Sequence, residues 1–133
     1  MYTLYDYFRS TASYRVRIVL ELKQLAYQCQ EVHLVNNGGE QNSQDYTNLN
    51  PQQLVPTLVE NNEEQGISQS LAIINYLEAK HPAPSLFTND IKLNAQINSF
   101  ALQICCDLHP LNNLRVLNYL TKTLNNSETQ KMQ

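Results

Sequence analysis

The chain has 133 residues, 42% of them hydrophobic, and carries a formal charge of -3 with a sequence pI near 5.5. That length holds one domain, or a small domain and part of another, and the apolar content is enough for a packed core. The acidic balance argues against a nucleic-acid face, and no apolar run reaches the roughly 18 residues that a membrane span needs.

Tyr2–Phe8 is aromatic-rich with partial alternation and reads as a strand. Ser13–Leu25 turns helical, with Ala12, Val16, Val19 and Leu20 on one stripe and Ile18, Leu22 and Leu25 on a second. Two apolar faces predict a helix packed between layers. Tyr27–Val35 alternates like a strand, so the first 35 residues form a βαβ unit with parallel strands. Asn36–Glu40 is a turn by composition, because Asn and Gly tolerate positive φ. A short helix fits Ser43–Leu49. Leu54–Glu60 and Gly66-Ile67 read as a hairpin, with Pro56 at a strand entry or an edge. Ser68–Lys80 is a helix with Leu71, Ile74 and Leu77 on one side and Ser68 or Ser70 as its cap.

His81–Ser85 contains two prolines and is the best linker candidate. Beyond it the pattern is purely helical. Leu93, Ile97, Phe100, Ala101, Ile104 and Leu108 form one stripe; after a break at Pro110, Leu111, Leu114, Leu117, Leu120 and Leu124 form another. Two such helices are incomplete as a domain, so they either pair with another chain or belong to a shortened one. The tail from Asn125 is polar and expected to fray. Cys29, Cys105 and Cys106 show no metal-ligand spacing and read as buried, inert thiols; no metal is expected. Neighbouring helical residues point about 100° apart, which disfavours a Cys105–Cys106 disulfide. Met1–Asp6 lacks a basic segment followed by an apolar one, so a secretory leader is not expected and the expected compartment is the cytoplasm.

The stretch Ser10–Ile18 carries the chemistry. Small hydroxyl side chains, free backbone N–H groups and Arg9, Arg15 and Arg17 gather where a helix starts after a strand. A helix N-terminus carries partial positive charge and unpaired donors, so this start suits an acidic small molecule or a thiolate. Arg15 and Arg17, two apart, cannot share a helix face, and Arg17 is expected to pair with a nearby carboxylate.

Phe8-Arg9-Ser10-Thr11-Ala12-Ser13-Tyr14-Arg15-Val16-Arg17-Ile18-Val19-Leu20 resembles the serine-serine-cysteine signature of zeta-class glutathione transferases, the maleylacetoacetate isomerases. Asn50–Leu58, Gln69–Glu78 and His109–Leu117 are similar to three further segments of that family, in the same order. The resemblance implies an α/β thioredoxin-like domain (βαβ-ββα, mixed sheet, cis-proline) over residues 1–81. It also implies the first helices of an incomplete all-α domain over 82–133, with about the last third of the family's usual length missing.

Glutathione is the cofactor so implied. Ser10 would hydrogen-bond its sulfur, with Thr11 and Arg15 as further catalytic residues and Ala12, Ser13 and Tyr14 completing the binding turn. Val55, before a cis Pro56, would offer backbone groups to the cysteinyl part, and Gln69 and Ser70 would hold the γ-glutamyl carboxylate. Asn113 matches a glutathione-contacting position, and Arg9 and His109 are assigned to substrate. Several have a simpler reading: Ser10 and Ser70 as helix caps, Asn113 and His109 as capping around Pro110, Pro56 as a trans strand entry, Arg9 as surface charge.

The family's cysteine is replaced by Ala12 and its tryptophan by Tyr14. The implied activity is isomerisation of maleylacetoacetate, a small anionic electrophile, in a homodimer. A truncated, non-catalytic glutathione-binding or interaction module is the alternative. A thiol–disulfide oxidoreductase is disfavoured, because the helix start has no C-x-x-C.

Overall fold

The structure, a computed structural model, describes residues 1–61 and 63–125. The chain divides into two compact units, Met1–Leu86 and Phe87–Gln133.

In the first unit the order is β1 (Tyr2–Asp6), α1 (Thr11–Leu22), β2 (Tyr27–Glu31), α2 (Gln44–Leu49), β3 (Thr57–Glu60), β4 (Ile67–Ser68) and α3 (Ser70–Lys80). The strands form one mixed sheet in the order β2-β1-β3-β4, with β1 and β2 parallel and the other pairs antiparallel. This is the expected thioredoxin-like architecture, and the Val55–Pro56 peptide is cis. Alternation along β1 sends Tyr2, Leu4 and Asp6 to one face, where Val16, Val19 and Leu20 of α1 and Ile73 and Leu77 of α3 close the core. Leu4, Leu20, Leu58, Ile73 and Leu77 are at most 1% exposed. Each such side chain contributes about 1.5–3 kcal/mol of burial. The other face carries Tyr5, whose ring lies 5.9 Å from the buried Tyr46 of α2. At the β3–β4 hairpin a Cβ on Gly66 would stand 2.3 Å from Thr57 Cγ2, so only glycine fits there without displacement.

Several expectations are corrected. β2 ends at Glu31: the Val32 N–H to Asp6 O bond is the last one to β1, and the chain then turns; Asn37, Gly38 and Gly39 take φ of 54°, 80° and 96°, in keeping with the turn composition. α1 is not sandwiched: Val16, Val19 and Leu20 of its first stripe are buried, but Ile18 and Leu22 are 41% and 57% exposed. α3 buries Ile73 and Leu77, leaving Leu71 and Ile74 half-buried. Neither Ser68 nor Ser70 caps α3; its N-cap is Gln69, without a side-chain cap bond. The three thiols are free but not buried, with Cys29 and Cys106 exposed and Cys105 half-buried. Cys29 sits on the solvent-facing edge strand, and the other two lie on a helix that buries no residue fully.

The second unit contains α4 (Ile91–Leu102), a π-helical segment (Gln103–Leu108), α5 (His109–Leu111) and α6 (Leu114–Lys122). Helical structure runs unbroken from Ile91 through Pro110, so the break lies at Asn112, not at the proline. Proline lacks an N–H and its ring clashes with the carbonyl four residues back. The wider π turns immediately ahead accommodate both effects. Leu93, Ile97 and Phe100 are 46%, 42% and 65% exposed. The expected fraying after Asn125 falls outside the described residues. Among the described residues no helix is long and apolar enough to cross a membrane, and no cluster of metal-ligating side chains occurs.

Candidate functional site

β1 is an interior strand, and just past its C-terminal end Tyr7 O accepts the Ser10 N–H at 2.8 Å, closing a tight turn before α1. Ser10 is the N-cap (φ -76°, ψ 115°), and its Oγ accepts the Ser13 N–H at 3.2 Å. Capping uses a lone pair, and the hydroxyl proton remains a donor. Capping therefore occupies the acceptor side of this oxygen and leaves its O–H side as a donor. Thr11 is exposed and opens the helix, Ala12 is half-buried, and Ser13 is buried with its Oγ unpaired. Tyr14 is 56% exposed, with the Arg17 guanidinium 5.3 Å from its ring centroid.

The arginines separate by role. Arg17 pairs with the buried Asp6 at 2.6 Å, as expected of it. That bond ties the first turns of α1 to the end of β1. Arg9 lies exposed in the turn. Arg15 reaches across to α3, donating from Nη2 and Nε to Ser70 Oγ at 2.9 and 3.3 Å. One guanidinium thus joins the starts of the two helices that share the sheet face.

Ser70 is buried and is the first residue of α3. Gln69, at φ 69°, turns its amide away from the helix to donate to Gln52 Oε1 at 2.7 Å. The first-turn N–H groups of α3 therefore have no side-chain cap, which leaves an anion-receptive end. Gln52 carries no local sequence signal for this contact, since nothing distinguishes it from Gln53.

The loop before β3 rests on a buried polar network. Asn50 Nδ2 donates to Leu54 O (2.8 Å) and Thr57 Oγ1 (2.9 Å), and Asn50 Oδ1 accepts from Gln52 N (3.0 Å). Tyr46 OH donates to Leu54 O at 2.7 Å and lies 2.9 Å from Thr57 Oγ1; burial raises the Tyr46 phenol above its ordinary value. These bonds fix the turn that presents half-buried Val55 and the cis Pro56.

Asn113 and His109 belong to the helical unit. Asn113 is the N-cap of α6, its Oδ1 accepting from Arg115 N at 2.9 Å, and His109 is half-buried in α5. In the first unit the structure therefore joins Arg15 to Ser70 and Gln69 to Gln52 and makes Ser10 the cap of α1; in the second unit Asn113 caps α6.

The family model for the glutathione S-transferase N-terminal domain matches residues 4–85. The chain belongs to the glutathione S-transferase family. Its similarity runs to the zeta class. It is 46% identical over 128 residues to a probable maleylacetoacetate isomerase of Vibrio cholerae, covering 96% of this chain and 59% of that protein. It is 48% identical over 117 residues to a maleylacetoacetate isomerase of Pseudomonas aeruginosa, covering 88% and 55%. Among solved structures, maleylacetoacetate isomerase of Methylobacterium extorquens AM1 with bound malonate and GSH superposes with a TM-score of 0.91 at 33% identity, covering 98% of this chain and 59% of that one. The chain thus spans somewhat over half the length of these relatives.

Proposed function

We propose that this chain is the glutathione-binding part of a glutathione-dependent cis–trans isomerase acting on maleylacetoacetate to give fumarylacetoacetate, or of a closely related glutathione transferase. The observation that carries this is the Ser10 hydroxyl at the start of α1, its acceptor side taken by Ser13 and its proton available to a sulfur anion. Relatives named for this isomerisation, and a relative holding GSH, support it.

The residues suit the tripeptide. Ser10 and the α1 N-terminus favour thiolate over thiol, as does any donor to a sulfur anion. Thr11–Arg15 form the turn around it. Val55, ahead of cis Pro56, offers backbone N–H and C=O to the cysteinyl part, and Gln69, Ser70 and the α3 start receive the γ-glutamyl carboxylate. The resemblance assigns Asn113 to glutathione, and Arg9 and His109 to the anionic substrate. When bound, glutathione supplies a thiolate that adds reversibly to the cis double bond, so that rotation and its departure leave the trans isomer. The protein stabilises that anion, orients both partners and screens developing negative charge with arginine. The division 1–81 and 82–133, a homodimer, a cytoplasmic setting and a place in tyrosine and phenylalanine breakdown complete the proposal.

Calorimetric titration with glutathione followed by an isomerase assay on the same preparation tests it. Binding with turnover that falls by orders of magnitude in Ser10→Ala is expected. Equal turnover in wild type and Ser10→Ala rejects the role, and binding without turnover favours a non-catalytic module.

A further inference from the structure

We infer that Arg15 is a positioning residue that makes Ser70 an obligate hydrogen-bond donor to the ligand's γ-glutamyl carboxylate, instead of meeting that carboxylate itself. The inference rests on the glutathione-binding reading above. A serine hydroxyl has one proton and two lone pairs. Nε–H and Nη2–H of Arg15 converge on Ser70 Oγ at 3.3 and 2.9 Å and occupy its acceptor side. What Ser70 has left to offer is its O–H. The guanidinium also polarises that bond, since donors in a chain strengthen one another.

Three features keep the arrangement fixed. Ser70 is only 6% exposed, so its side chain has little freedom. Arg15 starts one turn into α1 and Ser70 opens α3, two helices packed on the same sheet face. The Gln69 amide is committed to Gln52, so it does not compete for the first-turn N–H groups of α3. A lysine at position 15 would keep the charge but not the two-pronged fork.

The test is calorimetry with two probes, glutathione and the analogue in which hydrogen replaces its γ-glutamyl α-carboxylate. Both are titrated into the 133-residue protein, Arg15→Lys, Ser70→Ala and the double variant. Hydrogen bonds to charged groups set the expected size: each single variant weakens glutathione roughly 10- to 100-fold, and the double is no weaker than the singles. All four proteins bind the analogue equally. Arg15→Lys matching wild type, losses that multiply in the double variant, or equal loss for both probes overturns the positioning role. Wild type failing to bind glutathione overturns the underlying binding reading instead, and wild type binding both probes equally overturns the carboxylate subsite.

Discussion

Replacing Lys23 by methionine removes a cation that the fold has enclosed. The Lys23 side chain is 0% exposed, and its Nζ meets Glu78 Oε2 at 2.6 Å, His81 O at 2.6 Å and Pro84 O at 2.9 Å. Glu78 in turn accepts from Ser85 Oγ at 2.9 Å and from Leu86 N at 3.2 Å. The pair therefore fastens residues 81–86 onto the ends of α1 and α3. Methionine fills a similar volume, so the loss is electrostatic. Breaking one side of a buried ion pair costs about 3–5 kcal/mol. Glu78 is 13% exposed and keeps its other two donors, which places Lys23→Met near the lower end, about 3 kcal/mol. Urea unfolding followed by far-ultraviolet circular dichroism reads it directly, since the chain has no tryptophan. Glu78→Gln retains a hydrogen-bond acceptor and is expected to cost less, about 1–2 kcal/mol. A Lys23→Met midpoint indistinguishable from wild type would refute the reasoning that this ammonium is held without water.

Three further outcomes follow from other sites. Asn50→Ala removes the amide donor to buried Thr57 Oγ1 and one of the donors to Leu54 O, and takes the acceptor from Gln52 N–H; it is expected to destabilise by about 2–3 kcal/mol in the same assay, and a change below about 0.5 kcal/mol would contradict the role of the network. For Glu78, burial opposes ionisation, but bonds from Lys23, Ser85 and the Leu86 N–H outweigh it and hold the carboxyl below its ordinary 4.5. Its stabilisation is therefore complete above that value and is lost as pH falls through the lower native value, so the acid limb of stability against pH should flatten in Glu78→Gln. The Cys29 thiol is raised, by burial first and by the Asp6 carboxylate next, with Arg17 opposing. Though exposed, it should react with iodoacetamide more slowly than a short cysteine peptide at neutral pH; an equal or faster rate would contradict this.

Much of this fold could be read from periodicity. β1 alternates because a sheet has two faces, and Val16, Val19 and Leu20 recur at helical spacing because α1 has one buried side. The second apolar stripe of α1 misled, since Ile18 and Leu22 are exposed and periodicity does not say how many layers cover a helix. The cysteines misled in the same way: burial is a property of the surroundings, and Cys29 falls on an edge strand. The sequence pattern places a break at Pro110, yet the π turns ahead of it absorb a proline without ending the helix. For the candidate site, the helix start at Ser10 was legible in the serine and arginine cluster, and the structure makes Ser10 the N-cap of α1. What Arg15 touches depends on the approach of α1 to α3, a contact 55 residues apart in sequence. The buried Lys23 left no local signal, because a lysine late in a helix looks like a surface residue until its partners at 78, 81 and 84 are known.

The measurement nearest to the central claim is the pKa of the glutathione thiol on the protein, followed by thiolate absorbance near 240 nm in wild type and Ser10→Ala. A bound thiol titrating well below free glutathione in wild type, and returning toward the free value in Ser10→Ala, is the predicted result. Bound thiols that titrate alike in the two proteins would contradict it.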